Sequence, residues 1–228
     1  MATVKKHDFV ELDYSARTKE DNVLFDTTLA DVAKKEGVYE KDSHYHPAVI
    51  CIGENMLLKA VEEQLIGKET GKEYSIEVQA KDAFGNKNAQ LIQMIPMSKF
   101  RQQNIQPMPG LQLNIDGMFG VVKTAGGGRC YVDFNHPLAG KDLVYAVKLN
   151  RIVEDDSEKI RSYLQLQLSQ KDIDVKVEGA KATATMQFAI PNPQLIERKY
   201  TRIVDHSFKT VLRYVTSFGT TSTENWND

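Results

Sequence analysis

Cysteine is nearly missing from this chain of 228 residues: Cys51 and Cys130 are the only two. Two thiols make one bridge at most, and they are expected as reduced, buried residues of a cytosolic protein. Charge of one sign is lacking as well. The 29 basic and 31 acidic groups leave a formal net charge of −2, with no long block of either sign. There is thus no general electrostatic case for nucleic acid or an anionic membrane as partner. Long apolar runs are absent too. The longest, AVICI from Ala48 to Ile52, falls far short of a membrane span, and the opening MATVKKHDFV lacks the apolar core of a signal peptide. The expectation is a soluble, cytoplasmic protein. The chain also lacks a CxxC pair, a GxSxG elbow, an HExxH helix and a Walker loop, so neither a resident metal nor a cofactor is expected. The glycines Gly126 to Gly128 lack the Lys-Ser/Thr that follows in a phosphate loop, and read as a hairpin turn.

What is present is the composition of a packed globular chain, 41% apolar and 26% charged. Phe9 to Ser15 alternates weakly and reads as a strand. Val23 to Thr28 is a short strand or loop start, and the polar Asp31 to Lys41 accommodates a helical turn. Ala48 to Ile52 is a buried strand ended by Gly53. Asn55 is a good N-cap, and Leu57, Leu58, Val61 and Leu65 follow at helical spacing until Gly67, which predicts a helix from Asn55. Tyr74, Ile76 and Val78 then alternate with Glu73, Ser75 and Glu77. Farther on, DFNHPLAGKDLVYAV, Asp133 to Val147, passes from turn residues into an alternating strand with Leu143, Tyr145 and Val147 on one face.

Residues 90–133 differ in character. Four of the seven methionines fall here, Met94, Met97, Met108 and Met118, among prolines and glycines that cut the segment into short pieces. It reads as a small, inserted, β-rich unit. After an acidic linker, Ile160, Tyr163, Leu164 and Leu168 share a helical face. Ile173, Val175 and Val177 alternate, Gly179 turns, and Ala182 to Ile190 alternates again as the second arm of a hairpin. Ile196, Tyr200, Ile203 and Val211 suggest a second helix, and Arg213 to Phe218 a last strand. That α–β–β–α–β order suggests a two-layer, plait-like α+β domain.

Several of these segments resemble the FKBP family of peptidyl-prolyl isomerases, most closely its SlyD-like branch. The quoted stretches are DYSARTKEDNVLFDTT, ICIGENMLLKAVEEQLIGKETGKEYSIEV, AFG at Ala83 to Gly85, and NHPLAGKDLVYAV. The long gap between AFG and NHPLAG matches the insert-in-flap domain of that branch, and the resemblance spans about Val4 to Val153. It implies an α+β fold: an antiparallel half-barrel sheet wrapped on a short helix over 1–89 and 134–153, a polypeptide-binding insert over 90–133, and an added C-terminal domain over 154–228. The pocket it implies is walled by Tyr14, Phe25, Asp26, Phe84 and Tyr145, with Ile50, Leu57, Leu58 and Val61 around its floor. Many members carry tryptophan where this chain has Val61, and often tyrosine where it has Phe84, which removes a hydrogen-bond donor. The implied activity is rotation about X–Pro bonds. By that resemblance Met94, Met97, Phe100, Ile105 and Met108 are expected to form an adaptable surface for unfolded chain rather than only the core of so small a unit. A non-catalytic chaperone or adaptor is the alternative reading. Partners are unfolded or proline-containing polypeptides, with a homodimer through the C-terminal domain as the leading guess for that domain.

Two histidine groupings remain. His44 and His46 form an HxH beside Pro47 that reads as solvated loop rather than a ligand pair, and the tail TTSTENWND offers no metal-binding His or Cys. His136 reads as a turn residue hydrogen-bonded to backbone rather than a base.

Overall fold

The computed structural model describes residues 2–41, 43, 45–168, 173–178, 181–186, 209–215 and 221–223. Alternation beginning at Phe9 produces one long strand, β1 (Phe9–Thr18), around which a five-stranded sheet is organised. Its first half pairs antiparallel with β3 (Ala48–Cys51), and its second half pairs antiparallel with β2 (Leu24–Thr27). Its other edge takes β9 (Leu143–Ile152), followed by β4 (Glu73–Val78), so the path runs β2-β1-β9-β4. The alternating strand that carries Leu143, Tyr145 and Val147 therefore lies beside the N-terminal strand. Between β2 and β3 the polar stretch forms one short helix, α1 (Ala30–Lys35).

The helix after β3 is shorter than its spacing predicts. α2 spans Lys59–Leu65 and begins after Leu58, whose side chain makes no cap. Asn55 sits instead in a turn with φ of 56°, a left-handed conformation that asparagine tolerates better than most residues. Leu57 and Leu58 thus belong to a turn, while Val61 and Leu65 are buried on the helix.

A separate compact unit comprises Thr18–Asp21 and Val78–Leu143. It holds a four-stranded sheet of β5 (Ile92–Pro96), β6 (Gln112–Ile115), β7 (Met118–Gly126) and β8 (Arg129–Asp133), ordered β5-β8-β7-β6, and the short helix α3 (Met97–Gln102). The glycine run is a hairpin turn: Gly127 and Gly128, joining β7 to β8, have φ of 57° and 77°, as a primed two-residue turn requires. At Gly120, a Cβ would lie 2.7 Å from the Val132 side chain, so only glycine lets β7 approach that closely. The core of this unit is Phe100, Val122, Cys130 and Val132, with Met97, Ile105 and Leu113 packed against it.

The C-terminal segment contributes α4 (Asp156–Leu168), β10 (Ile173–Glu178), β11 (Lys181–Met186), β12 (Lys209–Val215) and β13 (Thr221–Thr223). β10 and β11 are the expected hairpin, β11 and β12 run parallel, and β13 completes the order β10-β11-β12-β13. Of the second helix expected over Ile196, Tyr200, Ile203 and Val211, the first three residues lie outside the described ones, and Val211 stands on β12, where pairing with β11 makes it strand rather than helix. Ile160, Tyr163 and Leu164 of α4, with Ile173, Val175, Ala182 and Ala184, form one core with Phe9, Cys51 and Val153. Arg151 of β9 donates to Glu11 of β1 at 2.7 Å and also to Glu158 of α4. The boundary expected after Val153 therefore falls inside a continuous core. The class is α+β, with mostly antiparallel sheets and few helices. Among the described residues no helix is long and apolar enough to cross a membrane.

Candidate functional site

Three aromatic rings converge where β1, β2 and β9 run side by side. Tyr14 and Tyr145 have ring centroids 6.0 Å apart, tilted by 35°, and Phe25 meets Tyr145 edge-on at 6.1 Å and 80°. Such tilted and T-shaped pairs match the quadrupoles of the rings. Tyr14 donates its hydroxyl to Asp26 Oδ2 at 2.7 Å, so the exposed carboxylate is fixed at the rim. Thr28 sets the backbone of Tyr14 from the end of β2: the Tyr14 N–H donates to Thr28 Oγ1 at 2.9 Å, and the Thr28 N–H donates to the Tyr14 carbonyl at 3.0 Å.

Burial dominates the electrostatics of the two phenols. It pushes the Tyr14 hydroxyl well above its ordinary range, with the Asp26 carboxylate adding to the effect, and raises Tyr145 to about 12 by the same two causes. Both stay neutral at physiological pH. The site is therefore a cluster of three rings with one carboxylate at its edge, and neither phenol is activated as a nucleophile.

The residues expected around the floor divide. Leu57 and Leu58 are half-buried, whereas Ile50 at 2% and Val61 at 0% exposure are sealed into the core. Glu62 went unnoticed in the sequence. Its carboxylate is 1% exposed and accepts the N–H groups of Gly53 at 2.7 Å, Asn55 at 3.1 Å and Leu57 at 2.8 Å, shaping the turn that presents Leu57 and Leu58. A glutamate one residue from the floor position looks like ordinary solvated helix, and no spacing betrays it. The structure also opens a cleft of about 550 Å³ beside the rings. It is lined by Leu24, Phe25 and Asp26 of β2 and by Val38, Glu40 and Tyr45 of the loop after α1, a stretch whose sequence reads only as a polar helical turn and a solvated loop.

In the second unit Phe84 stacks on His136, with centroids 4.4 Å apart and planes 4° from parallel. His136 Nδ1 accepts the Leu138 N–H at 3.2 Å, the turn role expected of it. Asn135 and Asn88 brace the chain at the ends of the inserted sheet. The Asn88 N–H donates to Asn135 Oδ1 at 2.8 Å, and Asn135 Nδ2 donates to Asp133 Oδ1 at 2.7 Å. The expected polypeptide-binding set also divides. Phe100 is 4% exposed, and Met97 and Ile105 pack against the same core, because so small a unit needs these side chains for itself. Met94 and Met108 are exposed at 49% and 57%. Met94 stands opposite Tyr131 across β5 and β8, and strand alternation puts Ile92 and Phe119 on that same outward face. His44 lies outside the described residues, and His46 Nδ1 lies 3.0 Å from the Pro47 carbonyl oxygen. Both cysteines are free and buried.

Tyr14, Phe25 and Tyr145, with Asp26 bound to the first of them, thus form a cluster of neutral rings beside one carboxylate. A family model described as FKBP26, IF domain matches residues 93–138. The chain is 30% identical over 155 residues to the short-type peptidyl-prolyl cis-trans isomerase of Methanocaldococcus jannaschii, covering 68% of this chain and 98% of that protein. It is 35% identical over 108 residues to a probable FKBP-type 16 kDa peptidyl-prolyl cis-trans isomerase of Pseudomonas fluorescens, covering 45% and 71%. Similarity to the FKBP-type isomerase SlyD of Haemophilus influenzae is 28% over 162 residues, covering 69% and 76%. The chain belongs to the FKBP-type peptidyl-prolyl cis-trans isomerase family.

Proposed function

We propose that this protein accelerates rotation about X–Pro bonds in folding polypeptides of the cytoplasm, and that its insert binds the unfolded chain around the proline. The observation that carries this reading is the convergence of Tyr14, Phe25 and Tyr145 with Asp26 fixed at their rim. An amide resists rotation by about 18–20 kcal/mol because resonance must be broken, while the two X–Pro isomers are nearly balanced. The twisted transition state carries less charge separation than the planar amide, so an apolar hollow penalises the planar form more. Desolvation of an amide is worth about 1–3 kcal/mol, which yields only one or two decades of rate. The remainder has to come from positioning, with the proline ring held on the aromatic wall by Tyr14, Phe25, Tyr145, Leu57 and Leu58.

The functional division follows. Residues 1–89 and 134–153 do the chemistry. Residues 90–133 hold the client through Ile92, Met94, Phe119 and Tyr131, an exposed apolar face of the kind that marks binding surfaces. Residues 154–228 serve dimerisation or docking. Tethering a client beside the pocket raises its local concentration without any new contact.

Proline-limited refolding of an unrelated protein tests the reading. Substoichiometric amounts of this chain should accelerate the slow phase. If the slow phase is unchanged while aggregation is suppressed, the protein is a chaperone or adaptor without catalysis, the reading that the exposed insert face would then favour.

A further inference from the structure

The cleft beside the rings is more than a margin of the pocket. Only Phe25 and Asp26 belong to both, and the remaining wall is supplied by Leu24 and by the loop carrying Val38, Glu40 and Tyr45. This loop is braced in advance. Tyr45 stacks on Tyr39 with centroids 5.0 Å apart and planes 18° from parallel, and its hydroxyl accepts the Glu40 N–H at 3.0 Å. Ser43 donates its hydroxyl to Glu40 Oε2 at 3.1 Å, which steadies the carboxylate. The lining therefore combines aliphatic and aromatic surface, from Leu24, Val38 and Tyr45, with two carboxylates, Asp26 and Glu40, and among the described residues it includes no lysine, arginine or histidine.

That combination fits one kind of occupant. A lysine or arginine side chain has an apolar stem that lies along such walls and a cationic head that needs a carboxylate. Its head also gains from an aromatic face such as that of Tyr45. An aliphatic side chain would leave the carboxylates unanswered, and an acidic one would be repelled. Because Phe25 is shared, a side chain one or two residues from the bound proline reaches the cleft at the roughly 3.3–3.6 Å that each extended residue spans.

We propose that this cleft is a subsite for a cationic side chain, lysine or arginine, close to the proline of the bound polypeptide. The inference rests on the isomerase reading above and adds a sequence preference to it. A peptide series with a constant Leu-Pro core tests it on the full chain. Lysine, norleucine or glutamate is placed in turn at each of the two positions on either side. Binding is read by fluorescence anisotropy and cis–trans exchange by NMR on the same samples. At one position lysine should bind about fivefold tighter than norleucine at low salt. The gain should fade in molar salt, where screening reaches about 3 Å. Glu40→Gln should bring the lysine-to-norleucine ratio close to one, and Glu40→Lys should turn the preference toward glutamate. Glu40 is exposed, so neither change threatens folding. Exchange of the series with no lysine gain at any position, or a gain that survives Glu40→Lys, overturns the subsite and leaves isomerisation standing. A lysine gain in binding with no exchange keeps the subsite and removes the isomerase reading instead.

Discussion

On β1, Phe9, Val10 and Leu12 are all buried to 3% exposure or less, although neighbours on a strand point to opposite faces. On β5, a strand of comparable apolar content, Ile92 and Met94 remain 38% and 49% exposed. The difference lies in what covers each sheet. β1 is packed on both sides, partly by its share in the α4 core, whereas the inserted sheet gathers Phe100 and its partners on one side and leaves Met94, Tyr131 and Phe119 outside. One region buries its apolar surface and fixes the geometry of its rings. The other leaves comparable surface uncovered.

The sharpest way to break this comparison is Tyr145→Ala. It should lower kcat/KM on a short proline peptide about 100-fold by undoing the ring geometry, while suppression of aggregation persists. Equal loss in both assays would erase the distinction between the regions. Next comes Glu62→Ala, which removes the buried acceptor of the Gly53, Asn55 and Leu57 N–H groups and should cost about 3 kcal/mol in chemical denaturation. The joint change Met94→Ser, Phe119→Ser and Tyr131→Ser should cut action on a refolding protein about tenfold, with turnover of the short peptide retained. A parallel fall on the peptide would show the outward face to be structural.

Alkaline titration gives a smaller, graded effect. Burial and Asp26 raise Tyr145 from an ordinary 10 to about 12, so the unfolded chain loses that proton first. The stability gained by keeping the phenol protonated is whole below pH 10 and declines as pH rises through 12. Circular dichroism against pH should show this decline, and Tyr145→Phe should lessen it while leaving the part that Tyr14 contributes. The smallest effect is expected of Tyr14→Phe, about threefold on peptide turnover, since only one hydrogen bond at the rim is lost.

Much of this was legible in the residues. The alternation of Leu143, Tyr145 and Val147 pointed to β9, and the glycine run to its hairpin, because period and turn chemistry are local. Asn55 misled because asparagine serves both as an N-cap and as a left-handed turn residue, and Glu62, three helical positions from Lys59, decides between them only through space. Phe100 misled because an apolar residue in a methionine-rich segment looks the same whether it faces a client or its own small core. The cleft at Tyr45 was invisible, since it exists only where a loop returns to β2.

The core shared by Phe9, Cys51 and α4 has a practical consequence for anyone dissecting this protein. A truncation ending at Val153, the natural choice for isolating a minimal catalyst, would strip the lid from Phe9 and Cys51 and cut Arg151 off from Glu158. Poor yield or clumping of such a fragment would then report a wounded core, and would say nothing about whether the removed segment recruits partners.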